Sequence, residues 1–571
     1  MKLSLYSGLL LAAVVGGSLV SCDQLKDLSY STTPNPLELH GDSVAISVTV
    51  NIPPKGIKKK ISVEISPMLG NTKLSMWKIQ GEKATGNGQS ITFKPGGSAT
   101  FTEVVAYDPS MEAADLTFTG KVFKGSKEKG KEAIPSTKLA DATVITPLLV
   151  QKNFKVLQET NTIPRSGDST KSANINYLKG KSDVRPNEMK DKDIMELVNW
   201  LKIVQNNPKI KINSFEILAY ASPDGEENFN KGLSGSRSRS ARNAFIALMK
   251  ANKLMQYTDT TMYSIEGLGE DLKGFTEELT ANTTIQQDQK DLFLRVLSVG
   301  GQNDNKEKDI YALGKGFTQL EKDIFPKLRR SQISVKYTKQ GLSDDELRNA
   351  AATAPASLKA EELLFVASTL TKDIKDQAKI YDAALMIYPT NAQMLNNSGA
   401  IALLQGNVSK AKTNLDKAIS ISDNANTKNN LAGVAMANGD RATAKKLLSQ
   451  IKNSKAPEVG YNNAIIAILE GKYSSAVSAM SSASFNKALA QVLVGSLDDA
   501  SKTLAASSDK ETADGYYLKA IIAARSNAGV DAVVSNLKSA ISKNAAYREK
   551  ASKDREFIKL MEDATFNAAV K

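Results

Sequence analysis

At 571 residues the chain is longer than one hydrophobic core organises, and ordinary domain sizes divide it into about three or four parts. With 41% hydrophobic and 24% charged residues, its composition excludes a wholly disordered protein and one that crosses a membrane many times. The net charge of +13 is spread over interleaved acids and bases, as in GSKEKGKEAI, which describes a solvated basic surface; the export signal at residues 1–21 argues against nucleic acid as a partner and leaves anionic lipid, lipopolysaccharide or cell-wall polymer open. One cysteine excludes an intramolecular disulfide framework, and one histidine, His40, excludes a histidine-dependent triad or a histidine-rich metal site. No catalytic residue, metal or cofactor is expected.

Residues 1–21 have a positive start at Lys2 and an apolar run, Leu9 to Val15, too short to span a bilayer, the pattern of a secretion signal. It ends in Leu19-Val20-Ser21-Cys22, which resembles the lipobox of bacterial lipoproteins. That resemblance implies that Cys22 is acylated and anchors the mature chain in a membrane. The alternative is an ordinary signal with an incidental cysteine. Residues 22–36, polar and rich in Ser, Thr and Pro, read as the anchor's tether.

From 37 to 150 the period is two: SVAISVTVNI, KKISVEISPML, QSITFKPGGSATFTEVVAY and DLTFTGKVF are short strand patterns between turn residues, which predicts an all-β sandwich. GSKEKGKE at 125–132 falls one residue short of a phosphate loop, with Glu132 where a magnesium-binding hydroxyl belongs, so a charged hairpin turn is expected.

Residues 151–341 alternate strand and helix. SANINYL reads as a strand, and Ile194, Leu197, Val198, Leu201 and Val204 share one helix face before Asn207-Pro208 ends it. KIKINSFEILAYAS reads as a second strand, then the loop Ser222-Pro223-Asp224-Gly225, then a helix opening near Asn230. This stretch resembles the OmpA-like domain, the α/β fold that in its family clasps the diaminopimelate stem peptide of peptidoglycan. Phe229-Asn230, Leu233-Ser234, Gly225 and Arg237 fall on the family pattern. KSDVRP at 181–186, GLGED at 267–271 and RRSQISVKY at 329–337 match it elsewhere, with an insertion at about 272–328. Ser222 stands where the family has Asp, Ala219 replaces its first Gly and Ser238 its last Ala.

The resemblance implies a candidate peptidoglycan site of Ser222, Asp224, Asn230 and Arg237. Arg237 either binds a carboxylate in two places or is one solvated arginine of the Arg-rich stretch SGSRSRSARN. Ser222 offers only a neutral hydrogen bond, which weakens the ligand by about 1–3 kcal/mol. Asp224 either compensates or is the acid of a Pro-Asp-Gly turn.

Residues 342–359 read as a linker, 360–548 as helical repeats and 549–571 as a helical tail. Gly406, Gly439, Gly471 and Gly495 are each followed five residues later by Ala411, Ala444, Ala476 and Ala500. A period near 34 with Gly at turns and Ala at close crossings resembles tetratricopeptide repeats and implies an all-α solenoid that recruits a protein partner.

The expected fold class is therefore multidomain: β-sandwich, OmpA-like α/β domain, tetratricopeptide-like solenoid. The expected function is a non-enzymatic envelope scaffold lipoprotein of the Bacteroidetes type, joining the outer membrane to peptidoglycan, to a protein partner, or to both, with no nucleic acid. Asp23 and Asp27, too separated to form an acidic run after Cys22, favour the periplasmic face. The rival readings are an accessory subunit of an outer-membrane assembly or secretion machine that no longer binds the wall, and an enzyme acting on wall peptides.

Overall fold

The computed structural model describes residues 25–298, 308–309, 311–312, 314–452 and 454–571, so Cys22 and the secretion signal lie outside the described residues. The chain forms two compact units: the described residues up to Thr160 with Ala367–Lys571, and Asn161–Val366.

In the first unit, β1 (Ser29–Thr33), β2 (Leu39–His40), β3 (Ser43–Ile52), β4 (Ile61–Leu69), β5 (Thr72–Lys73), β6 (Trp77–Gly81), β7 (Gln89–Ile91), β8 (Gly97–Ala106), β9 (Asp115–Lys124), β10 (Lys127–Glu128) and β11 (Ile134–Asp141) build two sheets. β3 carries β1 and β2 on one edge and β8 on the other, all antiparallel, and β4 pairs β9 and β6 in the second sheet. Alternation drives the arrangement: Val44, Ile46, Val48 and Val50 of β3 and Val63 and Ile65 of β4 point into one shared core. Trp77 of one sheet stacks on Phe101 of the other at 5.0 Å between ring centres. Residues read as tether already belong to this body, because Leu25, Leu28 and Tyr30 are buried in the core. GSKEKGKE holds the short strand β10 folded back on β9, a hairpin followed only by a single 3-10 turn at Gly130–Glu132.

The second unit contains a sheet of four strands among the described residues, ordered β12 (Ser166–Asn176), β15 (Arg330–Gln340), β13 (Ile210–Ala221) and β14 (Tyr263–Glu270). β15 is antiparallel to β12 and to β13, and β13 is parallel to β14. α1 (Lys192–Val204) links β12 to β13 and buries Ile194, Leu197, Val198, Leu201 and Val204, while α2 (Glu227–Ala251) links β13 to β14. The segment between β14 and β15 includes α3 (Leu272–Ala281), α4 (Gln287–Ser298), α5 (Lys315–Asp323) and α6 (Phe325–Leu328), whose Phe275, Phe293, Leu320 and Phe325 form a separate small core. α7 (Asp344–Thr353) follows β15 and opens with Ser343 and Glu346 capping each other's main-chain N–H groups.

The remainder of the first unit is a long repetitive helical region. After α8 (Ile374–Ile387), successive pairs are α9 (Ala392–Leu404) with α10 (Val408–Ile421), α11 (Ala425–Ala437) with α12 (Arg441–Ser449), α13 (Pro457–Leu469) with α14 (Tyr473–Ala479), α15 (Phe485–Leu493) with α16 (Leu497–Ala506), and α17 (Ala513–Arg525) with α18 (Val530–Lys543). α19 (Ala546–Lys553) and α20 (Ala564–Val570) close the chain. The turn inside each of the first four pairs passes through Gly406, Gly439, Gly471 or Gly495 at φ between 73° and 84°, and Asn527 takes that place in the fifth. Ala411, Ala444, Ala476 and Ala500 are fully buried where the helices cross. A Cβ on Gly399 would lie 2.5 Å from Leu415, so the first pair approaches too closely for any side chain there.

The sandwich packs against these helices within the same unit. His40 meets Tyr473 edge-on at 5.0 Å, Arg441 pairs with Asp42, and Arg555 donates to the carbonyls of Ala113 and Ala142. The lone histidine is therefore a packing residue at this junction.

Residues 151–160 differ from their sequence reading as the start of the α/β domain. They carry no helix or strand and run extended along the repeats, because side chains of the helices satisfy their main chain in place of a sheet.

Candidate functional site

The fold brings Ser222, Asp224, Asn230 and Arg237 together around the loop between β13 and α2, which starts at Glu227 so that Asn230 lies in its first turn. Asn230 donates to the carbonyls of Ser222 (3.2 Å) and Gly225 (2.9 Å) and to Glu270 Oε1 (2.8 Å), which fixes the loop against β14. The Ser222 hydroxyl donates to Asp224, so this serine is occupied by the neighbouring acid.

Two cations that sequence reasoning gave no role complete the cluster. Arg329 donates Nε to Ser222 Oγ (2.9 Å) and a terminal nitrogen to Asp224 Oδ2 (2.8 Å), and Lys179 Nζ lies 3.1 Å from the same oxygen. The Arg329 and Asp224 side chains are only 8% and 5% exposed. The signal was the Arg-Arg doublet at the last strand, whose first member needs an acid once it is buried.

Arg237 is 1% exposed and its guanidinium is spent on main-chain oxygens. Nε donates to Lys181 (2.9 Å), one terminal nitrogen to Tyr220 (2.8 Å) and the other to Leu178 (3.2 Å), while its carbon lies 5.0 Å from the Tyr177 ring centre. Burial pulls its pKa down to about 10, which leaves it charged at neutral pH. In this arrangement the arginine ties β13 to the chain leaving β12, and the acid answers Arg329 and Lys179.

The second constellation lies on the first helix of each of the first four repeat pairs and was missed in the sequence. Asn397, Asn430, Asn462 and Asn486 each stand nine residues before the turn glycine of their pair. Each grips both polar groups of one residue in the extended strap 151–159. Leu157 donates its N–H to Asn430 Oδ1 and accepts from Asn430 Nδ2, both at 2.8 Å. Lys155 does the same with Asn462 at 2.8 Å, and Glu159 with Asn397 at 2.7 Å. Gln151 pairs with Asn486 at 2.9 and 2.8 Å.

A second row braces the first. Asn396 and Asn429 donate to the carbonyls of Leu157 (3.1 Å) and Lys155 (2.9 Å), and accept from Asn430 (2.9 Å) and Asn462 (2.8 Å). All of these asparagines are buried, so their amides need these partners. The fifth pair has Leu518 at the corresponding place, beyond the strap's end, where Val150 joins the apolar core of the last helices.

Among the described residues no group of three or more His, Cys, Asp or Glu could hold a metal ion, and no helix is long and apolar enough to cross a membrane.

No protein-family model and no curated protein matches the chain. Among solved structures it is similar to a tetratricopeptide repeat protein from Parabacteroides merdae, at 16% identity over 39% of this chain and 91% of that one, with a TM-score of 0.27. It is also similar to the APC/C hetero-tetramer Cut9-Hcn1, at 14% identity over 66% and 71% of the two chains and a TM-score of 0.28. A third similarity is to Naa15/Naa10 bound to HypK-THB, at 13% identity over 66% and 65% and a TM-score of 0.23. These similarities are distant and partial, and the solenoid assignment rests on the helix pairs themselves, with their turn glycines and buried alanines.

Proposed function

We propose that the protein is a non-catalytic scaffold lipoprotein of a bacterial outer membrane, anchored through Cys22 and facing the periplasm, whose repeat arm engages a protein partner. Its α/β domain is read as an OmpA-like fold that has turned its ligand groups inward, which makes it an accessory element of an envelope assembly and not a wall anchor. The observation that carries this reading is the commitment of Arg237 to three main-chain carbonyls at 1% exposure, with Asp224 held by Arg329 and Lys179. A diaminopimelate carboxylate would have to displace those carbonyls from a guanidinium that is itself almost wholly buried.

The test is co-sedimentation of the mature full-length chain with purified peptidoglycan sacculi. The expected result is that it stays in the supernatant. Sedimentation that free diaminopimelate competes away, and that Arg237→Ala abolishes without unfolding the chain, would restore the membrane-to-wall link.

A further inference from the structure

The strap occupies the face of the repeats where the asparagines point, so that face is not a bare docking surface. We propose that it is a peptide-binding groove selective for an extended polypeptide with two apolar side chains three residues apart, and that the strap is its resident, exchangeable ligand. The inference rests on the reading of the repeat arm as partner-binding, and it names the chemistry of what the arm accepts.

Three observations carry it. The four rungs grip only main-chain N–H and C=O groups, so they fix an extended backbone in direction and register and read no side chain. The apolar contacts that can select are those of Phe154 and Leu157, which pack against the core containing Ala432, Ala444 and Ile466, beside polar side-chain bonds from Gln151 to Asp514, Tyr461 to Asn153 and Asn424 to Glu159. The strap makes no sheet of its own and is not sealed: Lys152, Asn153 and Lys155 are exposed, and a half-open cleft of about 270 Å³ lies beside it, lined in part by Asn153, Lys155, Tyr461 and Asp509.

The buried amides also decide how exchange proceeds. An empty groove leaves asparagine donors and acceptors to water alone, so the strap opens only transiently and another extended segment captures the rungs while they are free. The strap is tethered at both ends within its own chain, so it outcompetes a free peptide by its high effective concentration.

The test uses the full chain in two measurements. Hydrogen exchange of the native protein should show the amides of Lys155, Leu157 and Glu159 opening while those of Ala392–Leu404 and Ala425–Ala437 stay protected. A fluorescent peptide with the sequence of residues 151–160 should then bind the Phe154→Ala/Leu157→Ala chain roughly tenfold or more tighter than the native chain. Adding Asn430→Ala and Asn462→Ala should abolish that binding.

Strap amides that exchange only together with the helices would overturn the proposal, and native exchange decides the matter even where the variant does not fold. A folded variant that binds no tighter than native, or binding that survives loss of both asparagines, would overturn it as well. Failure of peptide exchange beside a reproducible envelope partner would leave the scaffold reading standing; successful exchange with no such partner would do the reverse.

Discussion

Asn430→Ala is the sharpest probe of the strap. The substitution removes the acceptor of the Leu157 N–H and one donor to the Leu157 carbonyl, both at 2.8 Å, together with the bond to Asn396 at 2.9 Å. The carbonyl keeps Asn396 Nδ2 at 3.1 Å, but the N–H has no other acceptor in the rung. Two lost bonds at about 0.5–1.5 kcal/mol each, and an orphaned N–H at about 1–3, bracket the cost between about 2 and 6 kcal/mol. Water entering the half-open groove relieves part of this, so about 3 kcal/mol is expected, roughly a hundredfold increase in strap opening. Hydrogen exchange of the Leu157 amide in the full chain reads that ratio directly. Asn430→Asp should fail to rescue, since it keeps the acceptor but sets a carboxylate against two oxygens. Asn463→Ala is the control: its exposed amide donates only to Val459 in its own helix, at 3.0 Å, and its loss should change exchange by less than about threefold. An Asn430→Ala effect as small as the control's would refute the view that the rungs hold the strap.

Arg237→Ala should destabilise the α/β unit by about 3–5 kcal/mol, because it opens a cavity and takes a donor from three carbonyls, of which that of Leu178 keeps the Lys181 N–H, and Arg237→Lys should recover little since one ammonium cannot reach all three. The fluorescence of Trp200 in a Trp77→Phe background follows that unit's unfolding. Burial raises the Asp554 carboxyl above 3.8, with Glu556 adding repulsion, so the native state holds that proton at a higher pH than the unfolded chain does. The Asp554 contribution to stability therefore rises as pH falls through its folded value towards 3.8, and Asp554→Asn should flatten this part of a thermal-melt pH series. Cys22→Ser should abolish incorporation of labelled palmitate and release the chain from the membrane fraction; unchanged labelling would refute the lipoprotein reading.

The regular elements were legible because their causes are local. Alternating Val44 to Ile52, the helical spacing of Ile194 to Val204 and the glycine-to-alanine step of the repeats each state a period that packing then obeys. β1 was missed because its inward side chains are Tyr30 and Thr32 among serines and threonines, too polar a pattern to separate from a tether. The loop's residues were legible as a cluster, but the turning inward of Arg237 was not: its acceptors are carbonyls of 178, 181 and 220, and every residue offers the same carbonyl. The strap is the extreme case. QKNFKVLQET has neither period, and its asparagine rungs lie 238 to 335 residues away. The recurrence of Asn nine residues before each turn glycine was nevertheless in plain sight, at a position where helix propensity gives no reason for asparagine.

Arg237 and the asparagine rungs solve one physical problem. Chain that is buried without joining a helix or sheet must have its N–H and C=O groups paired, and here side chains rooted on helices do the pairing. The chemistry of the acceptor set dictates the residue. Around Arg237 carbonyls converge and only donors are needed, so guanidinium fits. Along the strap each rung needs one acceptor and one donor at short reach, which asparagine supplies, aspartate supplies only by half and glutamine overshoots by a methylene. A protein partner of the arm then has two routes: it replaces the strap rung for rung, or it binds a face that the rungs do not touch. Loss of the asparagines abolishes partner binding in the first case and leaves it intact in the second, so the Asn430→Ala/Asn462→Ala chain separates the two once a partner is in hand.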